Sequence, residues 1–488
     1  MTVGLRLDEA VWGLLHQALQ HYRDNPRATD HLRHQLARLE QPLRIAIAGP
    51  WRSGKSTLLN AIMGEEVAPV DGVDGSTVFT WYEDGPQPSA TAYANGQPPQ
   101  ELAIVKSATG MRVDLVGWRA GELRDIVVQW PTRTLRQVTL IDTPATGRDE
   151  QGRAPVMERV LRDADAVLYL TRDGRDSDLR VLETSRESAV GQAAAVHVIM
   201  VLSRVDETGG GRIDGLLTAR QLARRQHRDP RVNELSVHVV PCSGLLGLAG
   251  RILSESDYAV LAALARVPRP ELETHLLSAD RFLRGDLPVR LDTGVRAGLL
   301  DRLGLFGIRL ATTLIRTGCD SRAKLSAELI RRSGLTELRE SMARLLVDRR
   351  DTLKARSALA AVEALLRAEP GRGTEDLLGR VEQILVGAHE FRELRLLAAL
   401  RTTRLGFDAE LAAEAARLVG GDGVGLAARL GVEHDATVHR LWDVASEAQW
   451  RWRNRAEDPL LRLAQRRGAQ VVVRSCEGML AELAEGGR

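Results

Sequence analysis

Lysine is nearly missing from this 488-residue chain. Of its 67 cationic side chains only Lys55, Lys106, Lys324 and Lys354 are lysine, and all the others are arginine. So broad a bias reflects codon usage more than function, yet it makes each remaining lysine conspicuous. Cysteine is also scarce. Cys242, Cys319 and Cys476 are odd in number and widely scattered, which excludes a disulfide framework or a Cys/His metal spacing and suits a reducing cytosol. No uncharged apolar run reaches the roughly 18 residues that span a bilayer. The opening MTVGLRLDEAVWG carries acidic residues too early for a secretory signal. Any membrane contact is therefore expected from the surface. A charge excess of one sign is absent too: the net charge of +2 argues against a whole-chain nucleic-acid binder and leaves room only for a local basic patch. With 44% apolar and 27% charged residues the chain is globular rather than disordered.

Three textures follow one another along the chain. Residues 1–41 place Val11, Leu15, Ala18, Leu19 and Tyr22, then Leu32, Leu36 and Leu39, at helical spacing. Two short helices broken near Asn25-Pro26 are expected, and their stripes need a partner elsewhere. Residues 42–250 alternate short β-type runs (LRIAIAG, VTLID, AVLYLT, VHVIMVLS, SVHVVPCS) with helical stretches, the pattern of a mainly parallel sheet covered by helices; a mixed insertion lies between Gly85 and Gln137. Residues 251–488 lose the β-type runs. Leu, Ala, Arg and Glu dominate there, with breaks near Pro268, Pro288, Gly318, Gly334, Pro370, Gly420 and Pro459. Six or more helices and no second sheet are expected.

Residues 49–57 read Gly49-Pro-Trp-Arg52-Ser53-Gly54-Lys55-Ser56-Thr57, a full GxxxxGK[ST] match between a strand-like run and the helical LLNAIMG. Backbone N–H groups at such a loop and helix start cradle phosphates, Lys55 reaches the terminal phosphates, and Ser56 ligates Mg²⁺. VTLIDTPAT puts Asp142 at a strand end, where a carboxylate holds Mg²⁺ through water. Ala145 stands where the DTPG box of GTPases has glycine.

The strand VHVIMVL runs into Ser203-Arg204-Val205-Asp206, a drifted [NT]KxD box. The Asp206 carboxylate would accept two hydrogen bonds from guanine that adenine cannot donate, a strong basis for discrimination. Arg204 would lay its stem and flat guanidinium along the base in place of lysine. Ser243, in Pro241-Cys242-Ser243-Gly244, falls where GTPases carry a base-contacting loop.

With these boxes in order, the chain resembles the dynamin superfamily of large GTPases. GKSTLLNAIMGEEVAPV, a Ser/Thr element, LIDTPA and VLSRVD are spaced as in bacterial dynamin-like proteins. QPLRIA, VFTWY, PCSGLLGLA, DRLGLFGIRLA and SGLTELRESMARLL are similar to the actinobacterial isoniazid-inducible protein C group. The resemblance covers nearly the whole chain. It implies an α/β P-loop GTPase domain over 42–250, a neck that includes helices of 1–41, and an all-α neck and trunk over 251–488. It also implies GTP/GDP and Mg²⁺ as ligands, and contact through paired heads or with a second dynamin-like protein. Peripheral action at the inner face of the cell membrane, in remodelling, envelope maintenance or division, is implied as well, with no nucleic-acid partner.

The switch hydroxyl that ligates Mg²⁺ should be Ser76 or Thr77, and the register leaves both open. Conventional dynamins place glutamine two residues after the first P-loop glycine, where this chain has Trp51. Arg52 matches the P-loop arginine that guanylate-binding proteins use as an internal finger on the γ-phosphate. The alternative is a GTPase-like scaffold that turns over poorly and assembles with a partner. Two segments are candidates for lipid contact: the apolar Leu303 to Ile315 and the loop Arg367 to Asp376.

Overall fold

Alternation of largely apolar, buried strands with helices builds five strands of one nine-stranded sheet. The five β-type runs are β1 (Leu43–Ala48), β8 (Val138–Asp142), β9 (Ala166–Thr171), β10 (Val198–Ser203) and β11 (His238–Cys242). All five are mutually parallel, as strands buried on both faces tend to be. The insertion adds β3 (Ser89–Ala94), β4 (Gln100–Leu102) and β7 (Leu123–Gln129) to the same sheet beyond β2 (Phe79–Glu83). Across the sheet the order is β11-β10-β9-β1-β8-β2-β7-β3-β4. The insertion also folds a separate hairpin of β5 (Ile104–Ser107) and β6 (Gly110–Val113). This computed structural model describes residues 6–68, 78–107, 110–115, 118, 122–146, 150–174, 176–183, 197–207, 215–401 and 405–486.

Because the five strands run in parallel, their C-terminal ends share one edge. The register pairs Ile47 with Asp142, Ala48 with Tyr169, Leu202 with Thr171 and Ser203 with Cys242. Every loop that carries a sequence box leaves from that edge. In open α/β sheets ligands bind there, outside the carboxyl ends where the strand order reverses.

The opening helices are α1 (Leu7–His21) and α2 (Pro26–Glu40). Asn25 starts α2 by accepting a hydrogen bond from the Ala28 N–H at 3.2 Å, with Pro26 preset for the first turn. The partner their stripes need comes from the far end of the chain. Val11, Leu15 and Leu32 share a core with Leu359, Phe391, Trp452 and Val472.

The helices beyond residue 250 fall into three packing groups. Those between Glu255 and Ser333 enclose their own core around Leu261, Phe282, Ile308 and Leu325, against the helix Gly244–Ile252. The helix Leu335–Leu345 returns to the sheet, placing Leu335, Leu338 and Met342 in one core with Leu43, Ile45 and Leu58. The rest, from Arg350 onward, bundle with α1 and α2. All seven expected breaks lie between helices, and among the described residues no strand follows residue 250. Leu303–Ile315 is interior: Leu303, Phe306, Ile308, Leu310 and Leu314 are buried. Arg309, the one charge in it, bonds Glu273 at 2.9 Å and the Leu276 carbonyl at 2.8 Å. A packed core explains that stretch without lipid. Among the described residues no helix is long and apolar enough to cross a membrane.

Candidate nucleotide site

The loop after β1 turns at two glycines for two different reasons. Gly49 has φ +150° and lies so close to β9 that a Cβ would stand 2.5 Å from the Leu170 carbonyl oxygen. Gly54 has φ +90°, but a Cβ there would meet nothing within 4 Å. The first glycine lets loop and sheet approach, and the second opens the helix start as a cradle that a phosphate can enter. From Gly54 the chain enters α3 (Lys55–Met63).

Lys55 is buried, with Nζ donating to the carbonyls of Gly49 at 3.2 Å and Pro50 at 3.3 Å. Burial lowers its pKa, opposed by the negative charge of Asp142. Ser56 Oγ donates to Asp142 Oδ2 at 2.8 Å, while Asp142 Oδ1 is buried and, among the described residues, accepts no hydrogen bond. Burial raises the Asp142 pKa, against Lys55, the Ser56 hydroxyl and the Thr143 N–H, which lower it. The Ser53 hydroxyl is likewise buried without a partner. An orphan carboxylate oxygen beside a serine hydroxyl is the donor set a partly hydrated Mg²⁺ takes, because that ion keeps waters and phosphate oxygens among its ligands. The residues therefore fit the ion. Among the described residues no three His, Cys, Asp or Glu side chains converge as a metal cage. Ser76 and Thr77 lie outside the described residues; β2, which follows them, sets Thr80 opposite Asp142.

The loop after β8 is tied to the end of β1 and to the P-loop. Thr143 Oγ1 donates to the Ile47 carbonyl at 3.0 Å, and the Thr146 N–H donates to the Gly49 carbonyl at 3.2 Å. The threonine of LIDTPA is the one signal of these ties in the sequence. Ala145 has no positive φ, so its Cβ imposes no strain in this conformation.

Among the described residues only two non-glycine residues have positive φ, and both sit in site loops: Arg52 at +58° and Arg204 at +55°. Such conformations persist where the surroundings enforce them, often at functional sites. The Arg52 guanidinium stacks 4.1 Å from the ring centre of Trp51, and both side chains are exposed. Arg204 pairs with Glu207 at 2.6 Å. Ser203 Oγ donates to the Thr171 carbonyl at 3.2 Å, pinning the end of β10 to β9. Among the described residues the half-buried Asp206 carboxylate has no hydrogen-bond partner. Ser243 caps the helix Gly244–Ile252 through the Leu246 N–H at 3.1 Å, so its side chain serves the loop rather than a ligand. That loop is fixed against α3, since a Cβ on Gly244 would meet the Leu58 nitrogen at 3.0 Å. Thr57, half-buried, completes the first turn of α3.

Comparison with known proteins agrees with this arrangement. Residues 45–199 match the model of the Dynamin family. The isoniazid-induced protein IniC of Mycobacterium tuberculosis is 36% identical over 489 residues, covering 97% of this chain and 98% of its own. The chain belongs to the dynamin family. Within it, this dynamin-like protein falls in the IniC group, with an α/β GTPase domain joined to a largely helical remainder. A bacterial dynamin-like protein of Nostoc punctiforme is 26% identical over 140 residues, covering 26% of this chain and 20% of its own. A solved oligomerised bacterial dynamin pair aligns over 98% of this chain and 75% of its own, at 13% identity and a TM-score of 0.33.

Proposed function

We propose that this dynamin-like protein binds GTP with Mg²⁺ and hydrolyses it, and that this cycle controls assembly at the inner face of the cell membrane. The Ser56–Asp142 pair carries the reading. A buried carboxylate with one oxygen unsatisfied beside a buried lysine suits a site that a cation and an anion complete. Lys55 neutralises charge on the terminal phosphates, and the N–H groups at the start of α3 hold the phosphate oxygens. Ser56 and Asp142, with Ser76 or Thr77, hold Mg²⁺, which when bound offsets charge on the β- and γ-phosphates. Asp206 selects guanine, with Arg204 swinging from Glu207 onto the base plane. In this reading residues 42–250 form the head, 1–41 join the neck and 251–488 supply neck and trunk. Membrane remodelling, tethering or a role in division would follow from head pairing or from assembly with a second dynamin-like protein.

One observation favours the second reading, a slowly hydrolysing scaffold. The exposed Arg52 is stacked on Trp51, so a finger action requires that stack to open. Turnover of GTP with and without liposomes separates the two. Hydrolysis stimulated by lipid supports a working mechanoenzyme, and binding without turnover under either condition supports the scaffold.

A further inference from the structure

A second concave site lies on the head, at the edge strand β11. It is a groove of about 460 Å³ between β11, the helix Gly215–Gln226 and the helix Leu335–Leu345. Its floor is apolar: Ala223, Val239 and Pro241 are buried. Pro241 is at home there, because an edge strand has no ladder partner for the N–H that proline lacks.

The rim is cationic by construction. Arg220, Arg224 and Arg228 recur every four residues, and the turn continues past Gln226 through His227 N–H to Ala223 carbonyl (2.8 Å) and Arg228 N–H to Arg225 carbonyl (3.0 Å). The three guanidinium groups therefore stay on one helix face. All three are exposed, and none pairs with an acidic side chain among the described residues. His227 and His238 add two imidazoles with ring centres 5.8 Å apart. Burial first, then His227 and the guanidiniums of Arg344 and Arg401, hold His238 down at about 4, so this imidazole is neutral near pH 7 and the arginines carry the charge of the rim. The one carboxylate in the lining is the exposed Glu337.

A nearly charge-balanced chain that gathers three arginines, unpaired among the described residues, over an apolar floor is arranged for an anion that needs several donors at once. Guanidinium forks match phosphate oxygens better than a single carboxylate, and the volume suits a ligand of headgroup or mononucleotide size. We propose that this groove is a second anion site, separate from the P-loop, that takes a phosphoryl group carried on a small or apolar body. Arg220, Arg224 and Arg228 hold the phosphoryl oxygens, and Glu337 accepts from a hydroxyl or amine on the same ligand. The phosphoryl group could belong to a lipid headgroup or to a free phosphate compound, and the chemistry at the arginines is the same.

The test uses the full chain saturated with Mg²⁺ and a non-hydrolysable GTP analogue, so that the P-loop does not compete. Inorganic pyrophosphate is titrated by calorimetry, and vesicles of equal parts phosphatidylglycerol and phosphatidylcholine are tested by co-sedimentation. Arg224→Glu/Arg228→Glu should weaken the bound probe at least about tenfold, as loss of charged hydrogen bonds does. Arg225→Glu, on the same helix but outside the lining, should leave binding unchanged, and all three proteins should bind the nucleotide analogue equally. Binding of pyrophosphate with this variant pattern assigns a free phosphate ligand; binding of vesicles alone with the same pattern assigns a headgroup; both together assign the shared phosphoryl chemistry. The proposal is overturned if the wild type binds neither probe, if the double variant binds like wild type, or if Arg225→Glu weakens binding as much as the double variant.

Discussion

Arg38 and Asp165, 127 positions apart, form a buried ion pair at 2.8 Å that ties the last turn of α2 to the start of β9. Arg38 also donates to the carbonyls of Arg162 and Asp163, and Asp165 accepts the Arg44 N–H at 3.0 Å with its other oxygen. The N-terminal helices thus hold the nucleotide-binding sheet by a directed polar contact as well as by burial. Arg38→Ala removes the direct partner of a buried carboxylate and leaves only the nearby charges of Arg44, Lys354 and Arg356 to offset it, a loss of at most about 3–5 kcal/mol. Thermal unfolding should shift down, and amide exchange across 26–40 should accelerate. Unchanged exchange there would mean that the pair does not hold α2 to the sheet.

Ser56→Ala deletes the hydroxyl proposed to hold Mg²⁺, which among the described residues is also the only side-chain donor to Asp142. Nucleotide affinity measured with Mg²⁺ should fall about 10- to 100-fold, the range typical of disturbed ligand shells. Affinity in chelator should change little. Equal losses under both conditions would mean that Ser56 acts on the loop and not on the ion.

The two P-loop glycines should respond unequally. Gly54→Ala meets no neighbour and costs only its left-handed conformation, about 1–2 kcal/mol. Gly49→Ala must also displace the β9 backbone at Leu170. Its nucleotide binding and its melting temperature should both fall further than those of Gly54→Ala. The reverse order would contradict the described approach of loop and strand.

Arg52→Ala tests the finger. If Arg52 leaves Trp51 to meet the γ-phosphate, single-turnover hydrolysis drops about 10³-fold or more while GTP affinity holds. Trp51 fluorescence in the wild type should also change on binding a transition-state analogue. Hydrolysis equal to wild type would leave Arg52 as a surface stack.

Acid should loosen the helical bundle through Glu393. Burial would raise its carboxyl, but the hydrogen bond from His389, the charges of Arg429 and His389, and the Ser475 hydroxyl outweigh that and hold it at about 2. Arg429 and Ser475 reach its Oε1 at 2.5 and 2.6 Å. The unfolded chain, near 4.5, binds more protons between these values, so the contribution is complete above about pH 4.5 and is lost as pH falls towards 2. It is on the order of 3 kcal/mol. Glu393→Gln should flatten the loss of helicity between pH 5 and 2. A variant that follows the wild-type acid limb would assign the transition to other carboxylates.

The strands, the cradle and the helix ends were legible because each rests on local chemistry. Apolar runs fix β1, β8, β9, β10 and β11, and every Pro or Gly break fell between helices. Contacts across the fold were not legible. Nothing in the sequence joins Arg38 to Asp165. Lys354 is another case, donating to the Leu39 and Gln41 carbonyls at 2.6 and 2.9 Å and so closing the end of α2. A three-donor ammonium suits two converging carbonyls, which gives one more of the four lysines a structural role. Leu303–Ile315 leaves core and lipid contact both open because helical apolarity is the same whichever covers it. The loop after β10 was half legible: Ser203 ends the strand with a tie to β9, whereas the left-handed turn at Arg204 and its pairing with Glu207 depend on neighbours that spacing cannot reveal.

The central claim is that Lys55, Ser56, Asp142 and Asp206 form one guanine-nucleotide site. Calorimetry of GTP, GDP and ATP with Mg²⁺ tests it most directly, with Asp206→Asn alongside. GTP and GDP should bind and ATP should be weaker by about 10²-fold or more, a preference that Asp206→Asn removes. ATP binding as tightly as GTP, or an Asp206→Asn protein that keeps the full preference, would contradict it.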